Sequence, residues 1–158
     1  MNLIENFLNE DYLKYLQNNI FNNFNFPWYL VNRVAHPTNN DGFYFVHEFY
    51  KNNSINSNSF ELIAPFIEKI KPKSLIRVKA NLYPSSEKLI EHGTHVDFDY
   101  RHNTLLFYLN TNNGFTRFDD KKISSVENKA VIFDGSTPHN STNCTDQNYR
   151  ITINFNYF

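Results

Sequence analysis

The chain has 158 residues, with 15 Lys and Arg against 16 Asp and Glu and a formal net charge of −1. So even a balance gives no electrostatic footprint for nucleic acid, and no nucleic-acid partner is expected. The single Cys144 cannot form an internal disulfide, and neither a signal peptide nor an apolar run of membrane length is evident, so a cytoplasmic, membrane-free setting is expected.

The length suits one domain over 1–158 with a core of useful size. With 16 Phe and 10 Tyr that core should be ring-rich, as sheet cores often are. Roughly one residue in six is Asn, well above the globular norm. Pairs such as Asn39-Asn40 and Asn52-Asn53 suit turns, but the excess also runs through predicted strands, and an AT-rich coding sequence explains it more simply than an asparagine-specific function.

Leu3, Ile4, Phe7, Leu8, Tyr12, Leu16, Ile20 and Phe24 follow helical spacing, which predicts one or two amphipathic helices near residues 3–24. Phe26-Pro27-Trp28 ends them and opens an extended stretch to Val34. A strand is predicted over 43–50. A loop over 52–59 follows, and its Ser59 is a candidate cap for a helix over 60–70 that Lys71-Pro72-Lys73 would stop. The remainder reads as short strands over 75–83, 93–97, 104–109, 115–118, 123–126, 130–133, 138–141 and 149–158. Many short strands closely spaced by turn signals predict a sandwich, barrel or jelly roll with a helical N-terminal layer behind it.

Alternation is strongest in two of these strands. Arg77, Lys79, Asn81 and Tyr83 alternate with Ile76, Val78, Ala80 and Leu82, while Arg150, Thr152, Asn154 and Asn156 alternate with Ile151, Ile153, Phe155 and Tyr157. Such polar faces either meet solvent or line a wet interior.

His95 and Asp97 stand at i and i+2, so on a strand both would leave one face about 6–7 Å apart at the Cα. His139 follows far enough along for several strands to return it to that pair, and Arg150 comes about one hairpin later, with Thr152 on the same face. Two histidines and a carboxylate can hold one face of an octahedral Fe(II), leaving positions for an oxidant and a co-substrate. An arginine on a neighbouring strand can then grip the far carboxylate of a dicarboxylic co-substrate. Asp99 and His92 are rival ligands: Asp99 continues the strand face, whereas a spacing of three puts His92 on the opposite face from His95.

In this ordered set the chain resembles the Fe(II)- and 2-oxoglutarate-dependent oxygenases, and most their small prolyl-4-hydroxylase-like branch, which includes many phage proteins. The similarity spans about residues 74–158. Beside the HxD, the distal His and the later Arg, it includes Asn81-Leu82-Tyr83-Pro84, Leu106-Phe107-Tyr108-Leu109-Asn110, the turn Asn113-Gly114-Phe115-Thr116 and Ala130-Val131-Ile132-Phe133-Asp134. That turn has one glycine where the family commonly shows two. No second arginine follows Arg150, unlike in the nucleic-acid demethylase branch.

The resemblance implies a double-stranded β-helix, a cupin-like jelly-roll barrel backed by helices. It implies Fe(II) on His95, Asp97 and His139, and 2-oxoglutarate held by Arg150 with Thr152, Tyr83 and Tyr108. With O2 the expected activity is a non-haem dioxygenase that hydroxylates a protein or peptide residue, proline being the first candidate. An oxygenase of free small molecules and a non-catalytic jelly-roll binding module are the alternatives. No protein acid or base is required, so no further catalytic residue is expected. The segments 85–92 and 38–41 are candidate lids by position and polarity.

Overall fold

The computed structural model describes residues 1–35 and 42–158; the candidate lid at 38–41 lies outside the described residues. Asn2–Ile4 form β1 and Glu10–Phe21 form α1. The first turns predicted as helix are therefore a strand, because this segment adds to a sheet edge through the pairs Asn2↔Ile132 and Ile4↔Ala130. Asn6 then takes φ 50°, which no α-helix admits. The helix starts where Asn9 caps it, its Oδ1 accepting the Tyr12 N–H at 2.8 Å.

Next come β2 (Tyr29–Val31), β3 (Tyr44–Lys51) and β4 (Ser54–Ile55). The segment predicted as one capped helix is a 3-10 turn, Phe60–Ile63, running into α2, Ala64–Ile70. Ser59 makes no side-chain cap. Pro65 explains the break: it lacks the N–H that a continuous helix from Phe60 would need, but is at home in a first turn. Lys71, left-handed at φ 46°, closes α2.

The later strands are β5 (Leu75–Pro84), β6 (Asn103–Tyr108), β7 (Phe115–Phe118), β8 (Lys121–Ser124), β9 (Lys129–Asp134), β10 (Asn140–Ser141) and β11 (Tyr149–Tyr157). β8 lies two residues earlier than the strand predicted over 123–126, because a tight turn with Asp119 at φ 53° pairs Phe118 directly with Lys121. No strand forms over 93–97. There the chain makes isolated bridges, Glu91↔Thr142 and His95↔His139. His92 N bonds Ser141 O and His95 N bonds His139 O, both at 2.9 Å, so three steps on one side oppose two on the other and the ladder slips.

All pairings are antiparallel. The large sheet runs β1-β9-β6-β11-β5-β3-β2 with β4 on β3, and a small sheet runs β10-β7-β8. One face of the large sheet is apolar: Val78, Ala80, Leu105, Phe107, Ile151, Ile153 and Phe155 share a buried cluster with Leu13 and Leu16 of α1 and Phe66 of α2. Phe66 stacks on Phe155 and meets Phe107 edge-on, both at 4.9 Å between centroids. The opposite face is divided. Around β6 and β9, Leu106, Tyr108, Val131 and Phe133 pack with Phe118 and Ile123 of the small sheet, while around β5 and β11 the face is polar. Register makes that polar half continuous, through Arg77↔Asn156, Lys79↔Asn154, Asn81↔Thr152 and Tyr83↔Arg150. Thr152, Asn154 and Asn156 are all buried, so this face lines an interior.

Cys144 is buried and free. Among the described residues no helix is long and apolar enough to cross a membrane. Phe66 touches both sheet strands and the N-terminal Phe7. Phe66→Ala should therefore cost about 3–5 kcal/mol, read as a lower urea midpoint at unchanged slope. A loss below about 1 kcal/mol would place the core elsewhere.

Candidate active site

His95, Asp97 and His139 each offer a ligand atom within 4.8 Å of the others. Asp99 is outside this group, and so is His92, whose Nδ1 lies 2.9 Å from Ser141 Oγ. Backbone pairing makes the cluster: His95 and His139 exchange two N–H···O bonds of 2.9 Å, and Asp97 N–H reaches Gly135 O at 3.0 Å. Gly135 is needed there, since a Cβ would lie 2.1 Å from His102 Nε2 and 2.3 Å from Thr104 Oγ1. His139 Nδ1 faces Thr137 O at 2.9 Å and His95 Nδ1 faces Gly93 O at 3.3 Å. With Nδ1 as donor in each ring, both Nε2 lone pairs are left for a metal.

The Asp97 carboxylate is held on both oxygens. Arg77 Nη2 donates to Oδ1 at 3.1 Å, and Thr104 Oγ1 and Asn156 Nδ2 donate to Oδ2 at 3.0 and 2.8 Å. Asn154 Nδ2 lies 3.3 Å from each. Burial opposes ionisation of Asp97, but His139, Arg77, the Asn156 bond and Lys79 outweigh it and hold the carboxyl below its usual range. Burial, then the neighbouring His139, pushes His95 down to about 4, so the ring is neutral near pH 7. Lys79 is lowered to about 8, by burial first and then by Arg77, with Asp97 opposing.

From this cluster a cavity follows the polar face past Asn154, Asn81 and Thr152 to Tyr83 and Arg150. At about 40 Å³ it is narrow, so any ligand larger than a water or two enters only as lining side chains move. Arg150 is fully buried. It donates to Ser125 Oγ at 2.7 Å, Thr116 Oγ1 at 3.0 Å and Thr142 O at 3.2 Å, and its guanidinium faces the rings of Tyr83 and Tyr108 at 5.4 and 5.6 Å. Among the described residues no carboxylate pairs with it. Thr152 Oγ1 meets Asn81 Nδ2 at 3.4 Å, and Tyr108 OH donates to Thr116 at 3.0 Å. Tyr83 and Thr152 line the cavity; Tyr108 stands behind Arg150 and Thr116. Gly114 lets the turn close over the arginine, since a Cβ would meet Arg150 Cδ at 2.7 Å.

The donor set suits Fe(II), and the cavity carries two further signs of a polar guest. The buried Oδ1 atoms of Asn81 and Asn154, both on its lining, have no hydrogen-bond partner among the described residues. Sequence reasoning singled out neither Thr116 nor Ser125, which hold Arg150, nor Thr104, which holds Asp97. Only their place opposite functional residues in the folded sheets reveals them. The candidate lid over 85–92 is mostly exposed and is tied to the chain beyond β10, with Ile90 N–H donating to Asn143 Oδ1 at 2.7 Å.

Solved structures overlay the chain almost end to end. The viral collagen prolyl hydroxylase of Paramecium bursaria Chlorella virus-1, in a 2-oxoglutarate complex, matches with TM-score 0.66 at 16% identity, over 98% of this chain and 93% of that one. A Pseudomonas putida prolyl-4-hydroxylase matches with TM-score 0.70 at 15% identity, over 99% and 90%. The fold is that of the prolyl hydroxylases. A Trichoplax adhaerens prolyl hydroxylase, in complex with a peptide fragment of the hypoxia-inducible-factor oxygen degradation domain, also has TM-score 0.70, at 16% identity over 99% of this chain and 82% of that one. The mainly β, jelly-roll-like character of the prolyl-hydroxylase fold agrees with the two antiparallel sheets. No protein-family model matches the chain, and no curated protein matches it in sequence.

His95 makes the metal-free protein acid-sensitive in a defined direction. Unfolded, the ring takes a proton near its ordinary 6.5; folded, it resists until about 4. The unfolded state therefore binds more protons in that window, and stability falls as pH drops from about 6.5 to about 4. His47, also lowered by burial, adds in the same sense. Urea midpoints of the metal-free protein should decline across this range, with a shallower decline in His95→Gln; an unchanged slope in the variant would contradict the buried neutral ring.

Proposed function

We propose that the chain is an Fe(II)- and 2-oxoglutarate-dependent dioxygenase that hydroxylates a prolyl residue in a protein or peptide, with residues 1–158 forming one jelly-roll domain. The observation that carries this reading is Arg150: a fully buried guanidinium without a carboxylate partner among the described residues, at the far end of a cavity that begins at His95, Asp97 and His139. A buried cation without a counter-charge is costly, and a dicarboxylate reaching from the metal to Arg150 would neutralise it.

Bound there, iron with 2-oxoglutarate and O2 would supply an oxidation that yields succinate, CO2 and a hydroxylated C–H bond. The chain's own residues have simpler tasks. His95, Asp97 and His139 ligate through two ring nitrogens and one carboxylate oxygen. Arg77, Thr104, Asn154 and Asn156 keep Asp97 ionised and oriented. Arg150 grips the distal carboxylate, its fork already aimed by Ser125, Thr116 and Thr142, and Thr152 and Tyr83 flank the path. Tyr108 acts through Thr116 and Arg150. A peptide is preferred over a free metabolite because the neighbour from Trichoplax adhaerens holds one, and because an open cavity lies outside the metal cluster.

The deciding assay needs no substrate identity: purified protein with Fe(II) should convert 2-oxoglutarate to succinate. Without oxygen, Arg150→Ala should weaken 2-oxoglutarate binding by about 2–5 kcal/mol and Thr152→Val by about 1 kcal/mol, with iron affinity little changed. Unchanged 2-oxoglutarate affinity in Arg150→Ala would remove the co-substrate assignment.

The carboxylate ligand is tested separately. Asp97→Ala should abolish Fe(II) binding and Asp99→Ala should keep it. Equal loss in both would mean that Asp97 alone does not complete the site.

A further inference from the structure

Outside the metal cluster lies a second, open cavity of about 280 Å³, lined by Arg33, Tyr44, Arg77, Lys79, Val96 and neighbouring residues. It shares Lys79, Tyr83, His95 and Asp97 with the inner cavity, so the two are contiguous. A substrate approaching the metal from this side passes three cations. Among the described residues the one acidic group on the lining is Asp97, which is already held by four side chains.

The cations keep unspent donors. Arg77 uses Nε and Nη2 on Asn156 and Asp97, and Nη1 makes no hydrogen bond among the described residues. Lys79 is half-buried on β5, directly across from Asn154. Its ammonium faces the Tyr44 ring at 5.9 Å, and among the described residues it has neither an ion pair nor a hydrogen bond. Arg33 is exposed at the rim. The carboxylates neighbouring Lys79 are engaged elsewhere, Asp97 by four side chains and Glu48, the cross-strand neighbour on β3, by Lys51. An ammonium drawn partly out of water with no direct ion pair among the described residues is an unfavourable arrangement that an incoming anion relieves. Arg150 stands at the opposite end of the inner cavity, so this positive patch is separate from the one assigned to the co-substrate.

We propose that Lys79, with Arg77 and Arg33, binds a carboxylate that the substrate carries beside the carbon to be oxidised. The inference deepens the hydroxylase reading and rests on it for the reaction. In a peptide the group would be an Asp or Glu side chain next to the target residue; in a free amino acid it would be the α-carboxylate. Tyr44 and Tyr83, stacked at 5.4 Å, offer an apolar wall beside the cations for the rest of the residue.

Labelled prolyl peptides, capped at both ends and differing only in Glu or Gln beside the proline, test this by anisotropy on the full chain with Fe(II) and 2-oxoglutarate but no oxygen. The Glu peptide should bind at least about tenfold more tightly, by an advantage that shrinks with added salt. Lys79→Gln should reduce the advantage to within about threefold, and Arg33→Gln, at an exposed position, should reduce it less. Because each protein is compared with itself across the pair, lower overall affinity in a variant does not obscure the result.

Equal affinity for the two peptides without tighter binding of free L-proline, or no binding by either peptide or by free L-proline, overturns the carboxylate site; the succinate assay judges the reaction independently. Preference for free L-proline over both capped peptides keeps the carboxylate site and overturns the peptide part of the functional reading. A loss of 2-oxoglutarate affinity in Lys79→Gln as large as that in Arg150→Ala would give the ammonium to the co-substrate and overturn the proposal.

Discussion

Antiparallel pairing of β5 with β11, from Arg77↔Asn156 to Tyr83↔Arg150, organises everything the site contains. Side chains directly opposite one another share a face, so four cross-strand pairs become one polar track. A slip of one residue in either strand would send that strand's four polar side chains into the aromatic layer under α1 and α2, and its apolar set into the cavity. Burial of Val78, Ala80, Ile151, Ile153 and Phe155 on the other face therefore sets the register of the polar track as firmly as any contact within it. The core holds the site in place from behind.

Along that track the electrostatics change character. At one end Asp97 is surrounded by donors, so its negative charge is well solvated by the protein and its direction is set by Arg77, Thr104, Asn154 and Asn156. At the other end Arg150 has hydroxyls, a carbonyl and two rings, all neutral partners. Between the ends lie the orphaned carbonyl oxygens of Asn81 and Asn154. The anionic end is satisfied and the cationic end is not. That asymmetry points to a polar guest held near Arg150.

Much of this was legible in the chain because alternation is a local signal. The period-two pattern of 76–83 and 150–157 predicted β5 and β11 and posed the right question about their polar faces. The spacing of His95, Asp97 and His139 anticipated a cluster that the fold does bring together, with Arg150 on the same cavity. Non-local effects were the ones that escaped. The apolar residues near Leu3 scan as helix, yet edge pairing with β9 makes them strand. The 93–97 segment was expected to be a strand, but it opposes its partner with one residue too many. Thr104 and Ser125 are unremarkable in sequence, Thr116 stands out only as the end of a turn motif, and the roles of all three exist only across strands and sheets. The asparagine excess, read as a compositional bias, supplies Asn81 and Asn154 to the cavity and Asn156 to the Asp97 carboxylate all the same.

The unneutralised guanidinium of Arg150 has a bearing on the stability of the whole chain. It sits on β11, which is paired on both sides, so the cost of enclosing its charge is borne by the central pairings of the large sheet. An anion that reaches Arg150 binds only the folded state, because the Thr116, Ser125 and Thr142 contacts that aim the fork come from separate segments and vanish on unfolding. By mass action, at a hundred times its dissociation constant such an anion would add about 2.7 kcal/mol to the unfolding free energy. The folded fraction, and with it the chain's lifetime against proteolysis, would then track the supply of a small metabolite.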